Sequence, residues 1–194
     1  MKKLLTIFVI VFMIGIGVTS TRAQFLNDNL YLGPTIGYTY YFTGGALGLG
    51  GRAEYGLIDN LAIGSWNGAL GLGAEVSYSS SSENWYYGSA TYTLIGFLVY
   101  ASYHIQPQKA FDPYARAGLG FNNVNVTYKS NDGSNWSWGS GSYGSGLGYE
   151  ASIGFYYHFS KGMAFRADLG WPFLLSAGLD FNLGSMGWQS KKEK

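Results

Sequence analysis

His158 and Ser160 stand two residues apart, with Glu150 eight residues upstream on the same stretch; a nucleophile, a base and an orienting acid are the residue types of acyl transfer. That chemistry needs all three groups in one geometry together with oxyanion donors. No donors can be identified, and a histidine at a strand end beside a turn serine is the simpler reading, so no catalytic residue is assigned. Asn131-Asp132-Gly133 resembles part of a calcium loop but lacks the later Glu. The glycine-rich stretches 44–51 and 139–148 have no Lys-Ser/Thr after them and no helix to present a phosphate site. Asn125-Val126-Thr127 and Asn135-Trp136-Ser137 match the glycosylation sequon and read as incidental. No metal or cofactor is expected.

The remaining residues able to do chemistry are charges spaced at even intervals within apolar runs: Arg52, Glu54, Glu75, Arg116, Glu150, Arg166, Asp168 and Asp180, with His158 among them. Either they line a path for a ligand or ion, or they pair with one another. The elements that carry them decide between these.

Composition bounds those elements. The 194 residues are 47% apolar, 18% aromatic and 12% charged, about half the charged share of an ordinary soluble domain. A disordered or nucleic-acid-binding chain is excluded, and a net charge of +1 gives no electrostatic case for a polyanionic partner. The 30 glycines and 4 prolines show no collagen period. With no cysteine there is no disulfide framework, thiolate site or lipid-anchored Cys.

Lys2 and Lys3 precede an apolar run from Leu4 to Val18, and small polar residues lead to Thr21-Arg22-Ala23. This pattern predicts a secretory signal over residues 1–23, cut between Ala23 and Gln24. Fifteen apolar residues fall short of the about 20 that a spanning helix needs.

From residue 31 onward the chain alternates with period two. Leu32, Pro34, Ile36, Tyr38, Tyr40 and Phe42 oppose glycines and threonines. Similar runs occupy residues 47–57, 70–78, 90–105, 115–128, 147–159, 163–171 and 175–183. In the fourth, Ile95, Phe97 and Val99 oppose Leu94, Leu98 and Tyr100, so the facing is ambiguous. In the fifth, apolar residues move from odd to even numbers at Val124, which predicts a β-bulge near Asn122-Asn123.

Eight strands follow with no helix between them, and the charges choose the architecture. Five acids and three arginines lie on the small, polar face of their strands, while the opposite face is almost uncharged. Eight strands enclose room only for packed side chains. Large apolar residues therefore face out, and Gly, Ser, Arg and Glu face in, which suits a lipid exterior and a closed sheet. The expected fold is all-β, a single eight-stranded antiparallel up-and-down transmembrane β-barrel over residues 24–188, with a solvated tail at 189–194. In so narrow a bore a hydrogen-bonded ion-pair network is the simpler reading of the charges, with His158 and also His104 able to offset the excess of acids if protonated.

With the N-terminus in the periplasm, the periplasmic connections are Ile58–Asn60, Gln106–Asp112 and Ser160–Gly162. The outside connections Ser79–Gly88 and Ser130–Gly146 are long and polar, the asymmetry expected of such a barrel. Trp85, Tyr86, Tyr87, Trp136, Trp138 and Tyr143 lie in them, either as a contact surface or as headgroup anchors.

AEYGLIDNLAIG at 53–64, ASYHI at 101–105, DPYARAGLGF at 112–121 and YYHF at 156–159 resemble the small outer-membrane β-barrel proteins of the OmpA/OmpX transmembrane type. The resemblance covers the whole mature chain and implies a bacterial outer-membrane location, a side-chain-filled lumen and assembly by the outer-membrane insertion machinery. Such barrels commonly end on an aromatic residue, whereas this chain continues past Phe181-Asn182-Leu183 to Lys194. The expected role is structural or adhesive, through surface loops in contact with lipid and lipopolysaccharide, as a monomer without catalysis. A narrow porin-like channel for small solutes is the alternative, and a lipid-modifying enzyme a remote one.

Overall fold

The computed structural model describes residues 25, 27–39, 45–86, 88–105, 110–130 and 145–185. The signal segment with its Ala23-Gln24 boundary, Tyr87, Trp136, Trp138, Tyr143 and the tail from 189 lie outside the described residues. Eight strands follow in chain order: β1 (Asn29–Thr39), β2 (Ala46–Ile63), β3 (Trp66–Trp85), β4 (Gly88–Ile105), β5 (Phe111–Ser130), β6 (Gly146–His158), β7 (Met163–Trp171) and β8 (Leu175–Ser185). Each pairs antiparallel with the next, and β8 pairs back onto β1 through Leu32↔Phe181 and Tyr38↔Leu175. The sheet is a closed barrel, so no strand is left with an unpaired edge along its shared length.

Alternation along each strand sorts the residues into two faces. Leu47 (71%) and Leu147 (82%) point out, as do Leu49, Leu72, Val76, Phe97, Leu119, Phe121, Ile153 and Leu169. The charged residues are buried instead: Arg52, Glu54, Glu75, Arg116, Glu150, Arg166, Asp168 and Asp180 all lie inside. An apolar exterior around a charged interior is the reverse of a water-soluble barrel and fits hydrocarbon as the solvent.

Four sequence expectations are corrected. Ile58–Asn60 is not a turn: β2 runs through it with register shifts at Gly56/Ile58 and Ile58/Leu61, and the chain reverses at Gly64-Ser65. Asn60 takes φ 55°, the left-handed conformation that Asn tolerates, so its turn-like composition marks an irregular strand. Ser79–Gly88 is not a loop, because Ser79 to Trp85 pair residue by residue with Leu94 to Gly88 and the hairpin reverses only at its tip. Asp112 is not a turn residue but lies buried in β5.

The bulge near Asn122-Asn123 is absent. β4 and β5 stay in register from His104↔Tyr114 to Gly88↔Ser130, so it is polarity that changes, not geometry. Val124 and Val126 keep facing inward, packed with Ala90 and Leu94 and flanked by Tyr92 and Tyr128. Asn123, Asn125, Thr127 and Lys129 face out. The ambiguous fourth run obeys the same rule: Ile95, Phe97 and Val99 are outward, and Leu94, Leu98 and Tyr100 inward. Beyond Ile95 and Phe121 the sheet has an ordinary water-facing exterior.

Candidate functional site

The inward positions of all eight strands meet in one polar column. At its centre is Glu54 on β2, 1% exposed. Arg52 is two residues away on the same strand and therefore on the same face; its Nη2 donates to Glu54 Oε2 at 2.5 Å. Tyr156 and Tyr100 donate to the same oxygen at 3.1 and 3.3 Å. Glu54 Oε1 accepts from Ser102 and faces His104 Nε2 at 2.9 Å. Five donors on one carboxylate offset the desolvation that an isolated buried charge would suffer.

His104 links this hub to Asp112, with Nδ1 2.8 Å from Asp112 Oδ2. Both ring nitrogens face carboxylate oxygens, the geometry of an imidazolium in which both donate. His158 approaches the same Asp112 oxygen at 3.8 Å. Phe25 closes this end of the column, stacked on His104 with centroids 3.8 Å apart and planes at 8°, and on Tyr31 at 4.9 Å. Gly71 makes room, since a Cβ there would lie 2.5 Å from Glu54 Oε1 and 3.1 Å from Phe25.

Around Asp168 on β7 the arginines converge. Arg166 donates to Asp168 Oδ2 at 2.8 Å, to Asp180 Oδ2 at 2.9 Å and to Thr35 at 2.8 Å. Arg52 Nη1 reaches Asp168 Oδ1 at 3.4 Å, and Tyr114 donates to that oxygen. The Arg52 guanidinium lies over the rings of Tyr100, Tyr114 and Tyr156 at 5.1, 5.2 and 5.5 Å, within cation–π range. Arg116 donates to Ser152 at 2.7 Å and to Glu75 Oε2 at 3.0 Å, and it contacts Glu150 Oε1 as an ion pair.

The other end of the lumen is narrowed by the short β7–β8 connection. Phe173 is buried there against Gly37 and Gly48, where a Cβ would meet its ring at 2.6 and 2.5 Å. Thr39 Oγ1 donates to Pro172 O at 3.0 Å.

All nine residues singled out in the sequence as lumen charges lie in this column. Asp112, Tyr114 and Phe25 do as well, and sequence reasoning missed them. Asp112 and Tyr114 share the parity of Arg116, so running the alternation two steps back along β5 would have found both. Phe25 precedes the first strand and carries no such signal.

The chemistry suspected at the turn is not assembled. His158 and Glu150 are eight residues apart on one strand, about 27 Å, and Glu150 lies against Arg116. Ser160 Oγ accepts from Gly162 N at 3.2 Å within its own turn. Of the surface aromatics, Trp85 ends β3 and packs edge-on to Tyr128 at 6.4 Å, while Tyr86 at the hairpin tip is 86% exposed.

No curated protein matches the chain. Residues 8–182 match the outer membrane protein beta-barrel domain, nearly the whole length and from before β1 into β8. With its ring of antiparallel strands, apolar exterior and charged lumen, the chain belongs to the outer membrane protein beta-barrel domain family, which points to the bacterial outer membrane.

Proposed function

We propose that this protein is a sealed structural barrel of the outer membrane, exported by its N-terminal signal, that acts through the surface at the end away from its termini and has no catalytic activity. The observation that carries the reading is the occupied bore: Phe25, His104, Glu54, Arg52, Asp168 and Arg166 stand in successive contact along it, and Phe173 is buried at the far end against Gly37 and Gly48. Eight strands leave no room for a solute path beside such a column. The sheet that continues past the apolar band, tipped by Trp85 and Tyr86, supports the interaction role, since exposed aromatics on a rigid support are the usual anchors of recognition. Lipopolysaccharide and lipid are its immediate surroundings, and a monomer assembled by the insertion machinery is the form we assign.

Planar-bilayer recordings of refolded protein test the seal: silence is expected, and a steady, reproducible conductance would replace this reading with a narrow channel. Binding of lipopolysaccharide to the intact protein is expected to weaken when residues 131–144 are replaced by a short Gly-Ser linker. Incubation with phospholipid and lipid A followed by mass analysis is expected to return both unchanged.

A further inference from the structure

Alternation makes the outer wall of β5, β6 and β7 apolar, but its side chains differ in size. The outward positions Pro113, Ala115 and Ala117 on β5 are small, as is Ala167 on β7. Beside them Phe111, Ile153, Leu169 and Leu175 stand proud, 52, 61, 53 and 58% exposed. Ala115 is level with Ile153, Ile153 with Leu169, and Leu169 with Leu175. Small residues among large ones leave a depression, and a groove of about 580 Å³ lies on this wall. Phe111 and Phe155, with ring centroids 5.1 Å apart, bound it toward the rim that carries the chain termini.

The β2–β3 hairpin supplies the end wall at that rim. Tyr103, an outward residue of β4, donates its hydroxyl to Leu61 O at 3.0 Å and lies 3.2 Å from Trp66 O. Gly68 permits this reach, since a Cβ there would meet the Tyr103 ring at 2.6 Å. The hairpin backbone is thereby tied to the outside of the barrel, and Trp66 joins Ile105 in the lining. Apart from Trp66, the lining residues with polar side chains are Tyr114 and Asp168. Both turn their polar atoms into the lumen, where Tyr114 donates to Asp168 and the arginines hold Asp168.

A pocket for a water-soluble ligand carries a few polar groups that fix its orientation. This groove offers none along its length, so it suits hydrocarbon whose polar part lies beyond it. Inside a bilayer apolar contact alone gives no preference for protein over lipid, and retention comes from packing. A chain lying in a concavity touches protein on more sides than one on the convex wall, and each added contact contributes dispersion energy. Trp66, an exposed ring with a polar N–H, suits the headgroup level and marks where that polar part sits. We infer that the groove seats one acyl chain of a glycerophospholipid, with its headgroup at the terminal rim. The choice of phospholipid over lipopolysaccharide rests on the orientation proposed above, which puts that rim in the periplasm; the hydrocarbon class of the occupant does not.

The probe is phosphatidylethanolamine carrying a diazirine within one palmitoyl chain. The full refolded protein, in vesicles of phosphatidylethanolamine and phosphatidylglycerol with a small share of probe, is irradiated and its adducts are mapped by peptide mass. Adducts are expected to concentrate at Phe111–Ala115 and Ile153–Phe155, in excess over Leu47, Leu49 and Leu72 on the opposite wall. Ala115→Phe combined with Ala167→Phe fills the groove with side chains that already face outward, so the variant should fold and lose the excess. Ala74→Phe, on the outer face of β3, should keep it. Native mass spectrometry of detergent-solubilised protein incubated with phosphatidylethanolamine gives the count: one retained lipid on the wild type and on Ala74→Phe, none on the filled variant. Adducts spread evenly around the barrel, or an excess that survives filling, would overturn the seat. So would lipid A displacing phosphatidylethanolamine in competition, which assigns the groove to lipopolysaccharide, or a dimer that filling abolishes, which assigns it to a second copy. Neither measurement reads conductance or outer-surface binding, so failure of the sealed-barrel reading is told apart from failure of the groove.

Discussion

Arg52 shows what one residue does in this lumen. It is 1% exposed, donates to Glu54 and to the hydroxyls of Tyr156 and Tyr114 at 3.0 and 3.2 Å, and lies over three rings. Removing one member of a buried ion pair leaves the partner charge uncompensated, at a cost of about 3–5 kcal/mol. Arg52→Met keeps most of the volume and is expected to lose that much in urea unfolding from phospholipid vesicles. Arg52→Lys should recover only part of it, because a single ammonium cannot reach Glu54, Asp168 and two phenols through one planar fork. Lys161→Met, on an exposed turn, should stay within about 0.5 kcal/mol. The position of Arg52 was legible from its neighbours Leu47, Leu49, Ala53 and Tyr55, which fix the parity of the strand. Its partners were not, since Asp168 is 116 residues away and pairing across a closed barrel depends on shear and tilt, which no local pattern carries.

At the scale of the element, β5 shows where period-two reading fails. On the transmembrane part of a strand most large aliphatic residues face lipid, Leu98 being an exception, whereas on the part that stands in water they face inward. The move of apolar residues from Phe121 to Val124 is therefore a change of solvent, and a rule with one solvent turns it into a bulge. The same error made a loop of Ser79–Gly88, a paired hairpin in which Ser80 and Ser82 face water and Ser79 faces in. An arginine scan along the outer face of β5 tests this boundary. Arg at Ala115 or Ala117, in the middle of the apolar band on the outer face, should cost about 2–4 kcal/mol, and Arg at Asn125 or Thr127 about 0–1 kcal/mol. Equal costs at all four positions would erase the boundary. The β7–β8 connection offers a second test: Phe173→Ala empties the seat on Gly37 and Gly48 and should cost about 3 kcal/mol. It should not open a conducting path, because the charged column beneath remains intact.

For the whole molecule, the arrangement of the two ends carries the functional argument. Asn29 pairs with Ser185, so both ends of the described chain lie at one rim, together with Phe25 and the turns at Gly64-Ser65 and Ser160–Gly162. The opposite rim carries the extended β3–β4–β5 sheet and Phe173. On the proposed reading the chain is delivered from the inner side and inserted with its termini trailing, which keeps the terminal rim in the periplasm and the extended sheet outside. Two exposed lysines report on this directly: Lys129 lies on the outer face of β5 near the far rim, and Lys161 in the turn at the terminal rim. An amine-reactive reagent that cannot cross the outer membrane, applied to intact cells and read by peptide mass, should modify Lys129 and spare Lys161. Both should react once the membrane is permeabilised. Modification of Lys161 alone on intact cells would invert the molecule and put the Trp85–Tyr86 tip in the periplasm, where it could contact no extracellular ligand.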